Sequence, residues 1–336
     1  MKPLERLFHL AKEKPRHIVL AEGEDPRIQE AAIRASEDGL SRITLLGRKD
    51  RISKDLMVFG DKAKDIAIIE PETSPQLAHY AELFHKKRAH KGVDANKALA
   101  AMKEPLNYAA MMVHTGDADG TIAGAVATTA DTIRSALQII GKAKDSNIVS
   151  SFFLMLACAP HHTGHKKGKG GMIFSDCGLV VEPDCEELQS IALSSAQSCK
   201  ALLGQDPQIA MLSFSTSGSA AHPRVAVVQE AATQLQENHP ELVVGGELQF
   251  DAAFEKSIRA SKAPDSPLED RPNVFIFPNL DAGNIGYKIA QRIGGMTAIG
   301  PVLQGLAKPA NDLSRGCSVD DILALIAVTT VQIHQI

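Results

Sequence analysis

The stretch from Arg16 to Gly47, "RHIVLAEGEDPRIQEAAIRASEDGLSRITLLG", decides the fold class. Ile18 to Ala21 is a short apolar run that ends in a glycine-containing loop. Pro26 stands where a helix begins and Gly39 where it stops. "ITLLG" is then a second short apolar run. Strand, helix and strand in this order imply a parallel pair joined by a right-handed crossover.

The rhythm recurs outward from there. Residues 75–91 and 94–103 read as helices, "GTIAGAV" as a strand and turn, and "TADTIRSALQII" as a helix. The middle differs. "NIVSSFFLMLACA" and "GGMIFSDCGLVV" are strand-like runs separated by "PHHTGHKKGKG", a pattern that predicts a hairpin over 149–176 with a polar tip at 160–171. A helix is expected over 185–203, then strands at "IAMLSFS", "LVVGGEL" and "NVFIFPN", with helices at "RVAVVQEAATQLQEN" and "GNIGYKIAQRIG". The class is therefore α/β, with two mainly parallel sheets and a cleft between them. In such folds ligands sit in loops at the carboxyl ends of strands.

Composition narrows the function. The 336 residues suffice for about two domains, and 44% hydrophobic residues can build their cores. A net charge of −4 argues against nucleic acid, which needs a basic face. The absence of tryptophan removes the usual stacking platform. No apolar stretch is long enough to span a bilayer, and "MKPLERLFHLAKEKPRH" lacks the apolar core of a signal peptide. Five scattered cysteines, none in a CxxC pair, are expected as reduced thiols in the cytoplasm.

Several polar constellations fall in the loops. "SFSTSGSA", residues 213–220, offers five hydroxyls and a glycine after a strand; Ser215 and Thr216 are candidates to cradle phosphate, against a plain strand-to-helix turn. "HKKRAHKG" ends a helix, where basic residues and a Gly92 cap need no further role, although Arg88 would suit an anion. Thr128, Thr129 and Asp131 stand at a loop-to-helix junction, with Arg134 in the second turn presenting forked donors. His161, His162 and His165 lack metal-site companions, so a solvated tip is the expected reading and no metal site is assigned. In "VFIFPNLDAGNIGYKIAQR", Gly283 and Gly286 permit close approach of a ligand's diphosphate or tight helix–sheet packing; Asn284, Tyr287 and Lys288 are the side chains offered there. Near the end, "NDLSRGCSVDDI" precedes a helix that is apolar almost all round. Ser318 and Asp321 form a capping-box pattern. Ser314 and Arg315 remain unexplained by it, and Cys317 is expected to have a lowered pKa at the positive helix end.

Together, "GDADGTIAGAVATTADTIR", "SFSTSGSA", "GELQFDAA", "SKAPDSP", "NVFIFPNLDAGNIGYKIAQR" and "GPVLQGLAKPANDLSRGCSVDDI" closely resemble the phosphate acetyl/butyryl transferase family over nearly the whole chain. The resemblance implies two three-layer α/β domains with an interdomain cleft: residues 1–147 with 304–336, completed by the C-terminal helix, and residues 148–303, whose hairpin is expected to form a homodimer. It implies acetyl exchange between coenzyme A and inorganic phosphate, with coenzyme A as substrate and no tightly bound cofactor. The family's catalytic serine, arginine and aspartate fall on Ser314, Arg315 and Asp321. Its further arginines fall on Arg88 and Arg134. The segment "LACAPHHTGHKKGKGG" departs from the family pattern, and neither Cys158 nor Cys177 inherits a role. A butyryl-transferring enzyme and a non-catalytic coenzyme A-sensing module are the alternatives.

Overall fold

The computed structural model describes residues 2–144, 146–157 and 170–334. Its strands, in chain order, are β1 (Arg16–Leu20), β2 (Ser41–Leu46), β3 (Ala67–Ile69), β4 (Gly120–Ala123), β5 (Ser150–Leu156), β6 (Gly171–Ser175), β7 (Gln208–Leu212), β8 (Val243–Leu248), β9 (Val274–Ile276), β10 (Thr297–Gln304) and β11 (Ala310–Asp312). The chain separates into two compact units. One comprises Glu5–Lys144 and Leu306–Ile336, the other Met1–Leu4 and Asp145–Gly305.

In the first unit the sheet runs β11-β4-β1-β2-β3, and every pairing is parallel. The strand–helix–strand at Arg16–Gly47 is its centre. Asp25 caps helix Pro26–Glu37 by accepting from the Arg27 amide, with the proline in the first turn as expected. The chain winds β1, β2, β3 in one direction, then places β4 on the other side of β1. Strand order thus reverses between β1 and β4, and a crevice opens at the carboxyl ends of strands at such a point. Helix Val319–Ile333 is buried from Ile322 to Val331, as its all-round apolarity requires. Its two buried threonines find partners: Thr330 with Ser41 at 2.6 Å and Thr329 with the Asn311 amide at 2.8 Å.

The second unit has a mixed sheet, β10-β5-β6-β9-β7-β8. The expected hairpin is present: β5 and β6 pair antiparallel, Phe152 opposite Ser175 and Leu156 opposite Gly171. The three histidines of its tip lie outside the described residues. Phe174, Phe275 and Phe277 pack edge-on or tilted in its core, with ring centroids 5.3–5.4 Å apart.

Several elements escaped the sequence reading, among them helices Pro3–Glu13 and Lys49–Leu56 and the short strands β3 and β11; two others are instructive. Helix Pro105–Thr115 carried both punctuation marks, a proline at its start and Gly116 in the left-handed region (φ 91°) at its end. Strand β10 pairs antiparallel with β5, but a glycine and proline interrupt its apolar run and its register shifts between Ile299 and Val302.

Candidate active site

Three adjacent strands of the first unit, β11, β4 and β1, deliver their following loops to one place. The loop after β1 carries Glu22 and Asp25, and the first turn of the helix it opens carries Arg27. The loop after β4 runs from Gly124 to Thr128. The loop after β11 carries Ser314 and Arg315.

Arg27 joins all three. Its Nη2 donates to Asp25 at 2.8 Å and to the Ala125 carbonyl at 2.9 Å. Its Nη1 donates to the carbonyls of Arg315 at 2.8 Å and Cys317 at 3.0 Å. The Asp25 hydrogen bond holds the guanidinium more firmly protonated than usual. Glu22 grips the middle loop from the other side, accepting from the amides of Ala125, Val126 and Ala127 at 2.7, 3.0 and 2.6 Å. The result is a rigid frame from which the exposed side chains of Ser314 and Arg315 project at the amino end of the final helix. A backbone fixed in this way presents a hydroxyl and a guanidinium without further reorganisation.

Asp321 sits in the first turn of that helix and forms the expected capping box. Its Oδ2 accepts from the Ser318 amide and hydroxyl, both at 2.8 Å, while its own amide donates to the Ser318 hydroxyl at 3.2 Å. Cys317 differs from expectation. It is buried, and burial raises its thiol pKa above the ordinary value; the nearby Arg27 opposes this, and Asp321 adds to it. Desolvation outweighs the positive helix end, so the thiol stays protonated.

Thr128 caps helix Thr129–Ile139 by accepting from the Asp131 amide. Thr129 instead donates its hydroxyl to Asp312 at 2.7 Å. Arg134 is exposed and not wholly free: its Nη1 meets Asp131 at 2.6 Å. Arg88 closes helix Leu77–Arg88, with Gly92 in the left-handed region just beyond (φ 78°). Its Nε is buried with no hydrogen-bond partner.

The second unit alters the reading of its own candidates. Ser215 and Thr216 were expected to face phosphate. Ser215 is fully buried and donates to Glu247 at 2.8 Å; Gly218 donates its amide to the same oxygen at 2.9 Å. The Thr216 hydroxyl accepts from the Gln249 amide at 2.9 Å. The loop is an anion nest, as its composition indicated, and the anion it holds is the protein's own Glu247 carboxylate. Gly283 and Gly286 serve packing: a Cβ on Gly283 would lie 2.2 Å from the Asp176 carbonyl, and one on Gly286 3.0 Å from the Phe277 ring. On the same helix, Asn284 donates to the Cys177 carbonyl at 3.0 Å and accepts from Lys288 at 2.6 Å. Tyr287 stacks on Phe153, with centroids 3.8 Å apart, and burial pushes its hydroxyl pKa up to about 12. Lys288 alone of the three presents an exposed charge.

Arg27, Glu22 and Asp25 went unnoticed in the sequence. Their signal was position: they lie in the loop after the first strand and the first turn of the helix that follows, where the carboxyl-end rule places ligand-handling residues.

Among the described residues no cluster of three histidines, cysteines or carboxylates is placed to hold a metal ion, and no helix is long and apolar enough to cross a membrane.

These features define an α/β protein whose candidate site is built from loops at the carboxyl ends of three adjacent parallel strands. The chain matches the family described as phosphate acetyl/butaryl transferase over residues 3–330, and it belongs to that family. It is 54% identical over 332 residues, 99% of each chain, to the phosphate acetyltransferase of Paracoccus denitrificans. A crystal structure of a phosphotransacetylase from Streptococcus pyogenes shares 39% identity over 99% of both chains, with a TM-score of 0.90. A branched-chain phosphotransacylase from Enterococcus faecalis shares the fold at a TM-score of 0.71 and 17% identity, covering 95% of this chain and 99% of that one.

Proposed function

We propose that this protein moves an acetyl group between coenzyme A and inorganic phosphate: acetyl-CoA + phosphate ⇌ CoA + acetyl phosphate. The observation that carries the reading is the Ser314–Arg315 loop, exposed at a helix amino end and clamped by Arg27. The names of relatives that align end to end support it.

The mechanism proposed is direct attack. A phosphate oxygen attacks the acetyl carbonyl carbon, the C–S bond breaks, and coenzyme A leaves as thiolate and takes up a proton. Arg315 and Ser314 hold the carbonyl oxygen as it gains charge; one such donor is typically worth ~3 kcal/mol in the barrier. Arg88, with its unpartnered Nε, and Arg134, with one side engaged by Asp131, anchor the anionic groups of phosphate or coenzyme A. Thr128, Thr129, Asn284, Tyr287 and Lys288 remain lesser candidates for substrate contact. Ser215 and Thr216 take no part, because both are buried with their hydroxyls turned to Glu247 and the Gln249 amide.

In the reverse direction the thiol must lose its proton. A free thiol and a free aspartate differ by ~4.6 pKa units, about 6 kcal/mol against complete transfer to Asp321. With Oδ2 fixed by Ser318, Asp321 acts in concert with attack or orients the thiol. A covalent route through Cys317 has little support, since burial keeps that thiol neutral.

Coenzyme A is consumed as substrate and no resident cofactor is required. The reading further places the protein in the cytoplasm as a homodimer. The exposed stripe Ile285, Ile289 and Ile293, spaced at helical intervals on the second unit, supports the dimer.

Thiol release or consumption with acetyl phosphate and coenzyme A tests the assignment. Turnover is expected; its absence would favour a coenzyme A-sensing role. Comparing kcat/KM for acetyl-CoA and butyryl-CoA separates the two transferases, each methylene being worth ~1 kcal/mol or more. Asp321→Asn is expected to lower kcat strongly with little change in KM, and full turnover in that variant would remove Asp321 from the mechanism.

A further inference from the structure

We propose that Asp312 is a positioning residue for this reaction: its ionised, buried carboxylate ties the Ser314–Arg315 loop to the first turn of helix Thr129–Ile139. The proposal rests on the functional reading above.

Asp312 closes β11 two residues before Ser314, and it is wholly buried. Its Oδ2 accepts from the Thr129 hydroxyl at 2.7 Å. Its Oδ1 is also buried and makes no well-formed hydrogen bond, although the buried Thr132 hydroxyl is close enough to favour the charged form. The fold makes room for this carboxylate. Gly124 occupies φ 102°, and a Cβ there would stand 2.2 Å from Oδ1. Beside it the Leu313 amide donates to the Ala123 carbonyl at 2.7 Å, so the ends of β4 and β11 are locked where the carboxylate sits.

Among the described residues that face it, no cation balances the charge. From the loop after β1 comes Glu22, also an anion, held by three backbone amides. Just beyond that loop Arg27 is paired with Asp25. On helix Thr129–Ile139, Asp131 and Arg134 pair with each other on the exposed side. On the final helix, Asp320 pairs with Arg34 at 3.0 Å and Asp321 folds back on Ser318. Burial, reinforced by Glu22 and only partly opposed by the Thr129 and Thr132 hydroxyls and the Leu313 amide, pushes Asp312 up to about 6. At neutral pH it is charged at a cost to stability.

An asparagine would keep an acceptor for Thr129 without that cost. A carboxylate kept in such surroundings points to a use for the charge. Ionised, Asp312 can only accept, which fixes the direction of the Thr129 hydroxyl; protonated, it becomes a donor and the one-way tie is lost.

The sign of the stability effect follows. The native state keeps this proton to a higher pH than the unfolded chain, whose aspartates titrate near ~3.9. Stability therefore falls as pH rises from about 4 through about 6, and a variant with no proton to lose escapes that fall.

The experiment compares wild type, Asp312→Asn and Thr129→Val in the thiol assay from about pH 5.5 to 8.5, with Tm measured alongside. Asp312→Asn is expected to lower kcat about ten-fold or more at the alkaline end, keep KM within about two-fold, raise Tm there, and abolish the wild-type decline below about pH 6. Thr129→Val is expected to lower kcat to about the level of Asp312→Asn and to lose most of the decline below about pH 6, because the tie that protonation breaks is already gone. In wild type an infrared band of a protonated carboxyl grows in below about pH 6, and Asp312→Asn lacks it. Wild-type kcat in Asp312→Asn, an unchanged acid limb, or a loss of Tm that parallels the loss of activity would overturn the proposal. Failure of wild type to turn over at all would instead overturn the functional reading, while the infrared and thermal results would still report whether Asp312 is the titrating group.

Discussion

Besides Asp25, the cap of its own helix, the guanidinium of Arg27 reaches only carbonyls from other loops: Ala125, Arg315 and Cys317. A planar fork with five donors satisfies these acceptors at once, which an ammonium on a flexible stem cannot do. Arg27→Lys is therefore expected to behave almost as badly as Arg27→Ala. Both should reduce kcat roughly 10- to 100-fold, the effect of an ångström-scale displacement of catalytic groups. Near-normal steady-state kinetics of Arg27→Lys would show that the clamp is dispensable. Residues with chemistry concentrated in a short run, such as Ser314 and Arg315, stood out in the sequence. Arg27 and Asp312 did not, because their meaning comes from partners about a hundred or more residues away, and no local pattern encodes that.

At the scale of elements, the local rules succeeded where one residue decides one end. Pro26, Gly92, and the Ser318–Asp321 box all do what their positions implied. They failed where composition looked the same for two environments. The hydroxyls of Ser213–Ala220 have the character of an anion site whether the anion is a ligand or the buried Glu247. Cys317 stands at a helix start in either case, and only its burial reverses the sign of the pKa shift. Gly124 joins two elements. Alanine there meets Asp312 and the Leu313 backbone within 2.7 Å and must adopt a positive φ. Backbone strain alone costs about 1–3 kcal/mol, and the collision adds to it. Gly124→Ala should therefore melt several degrees lower and lose activity together with stability; unchanged thermal unfolding would mean that the strand ends can separate without penalty.

For the whole molecule, the α/β class and the alternation of strands and helices were legible from Arg16–Gly47 and its repetitions. The sheet orders were not, since the placement of β4 on the far side of β1, and of β10 beside β5, depends on contacts distant in sequence. The exposed Ile285, Ile289 and Ile293 carry a prediction at this scale. Ile289→Glu is expected to convert the proposed dimer to monomers in sedimentation velocity while each monomer keeps its melting cooperativity. An unchanged sedimentation coefficient would assign the stripe to another role.

The edge strand β11 and the helix Val319–Ile333 have a consequence for how the chain is made. They complete a sheet whose other four strands were synthesised before residue 124, yet they come after all of Asp145–Gly305. On the ribosome, the later-starting unit is therefore ready to fold first. Throughout that interval the early strands wait with the flank of β4 bare and the bed of the final helix uncovered, a nascent intermediate suited to chaperone capture until the last thirty or so residues emerge.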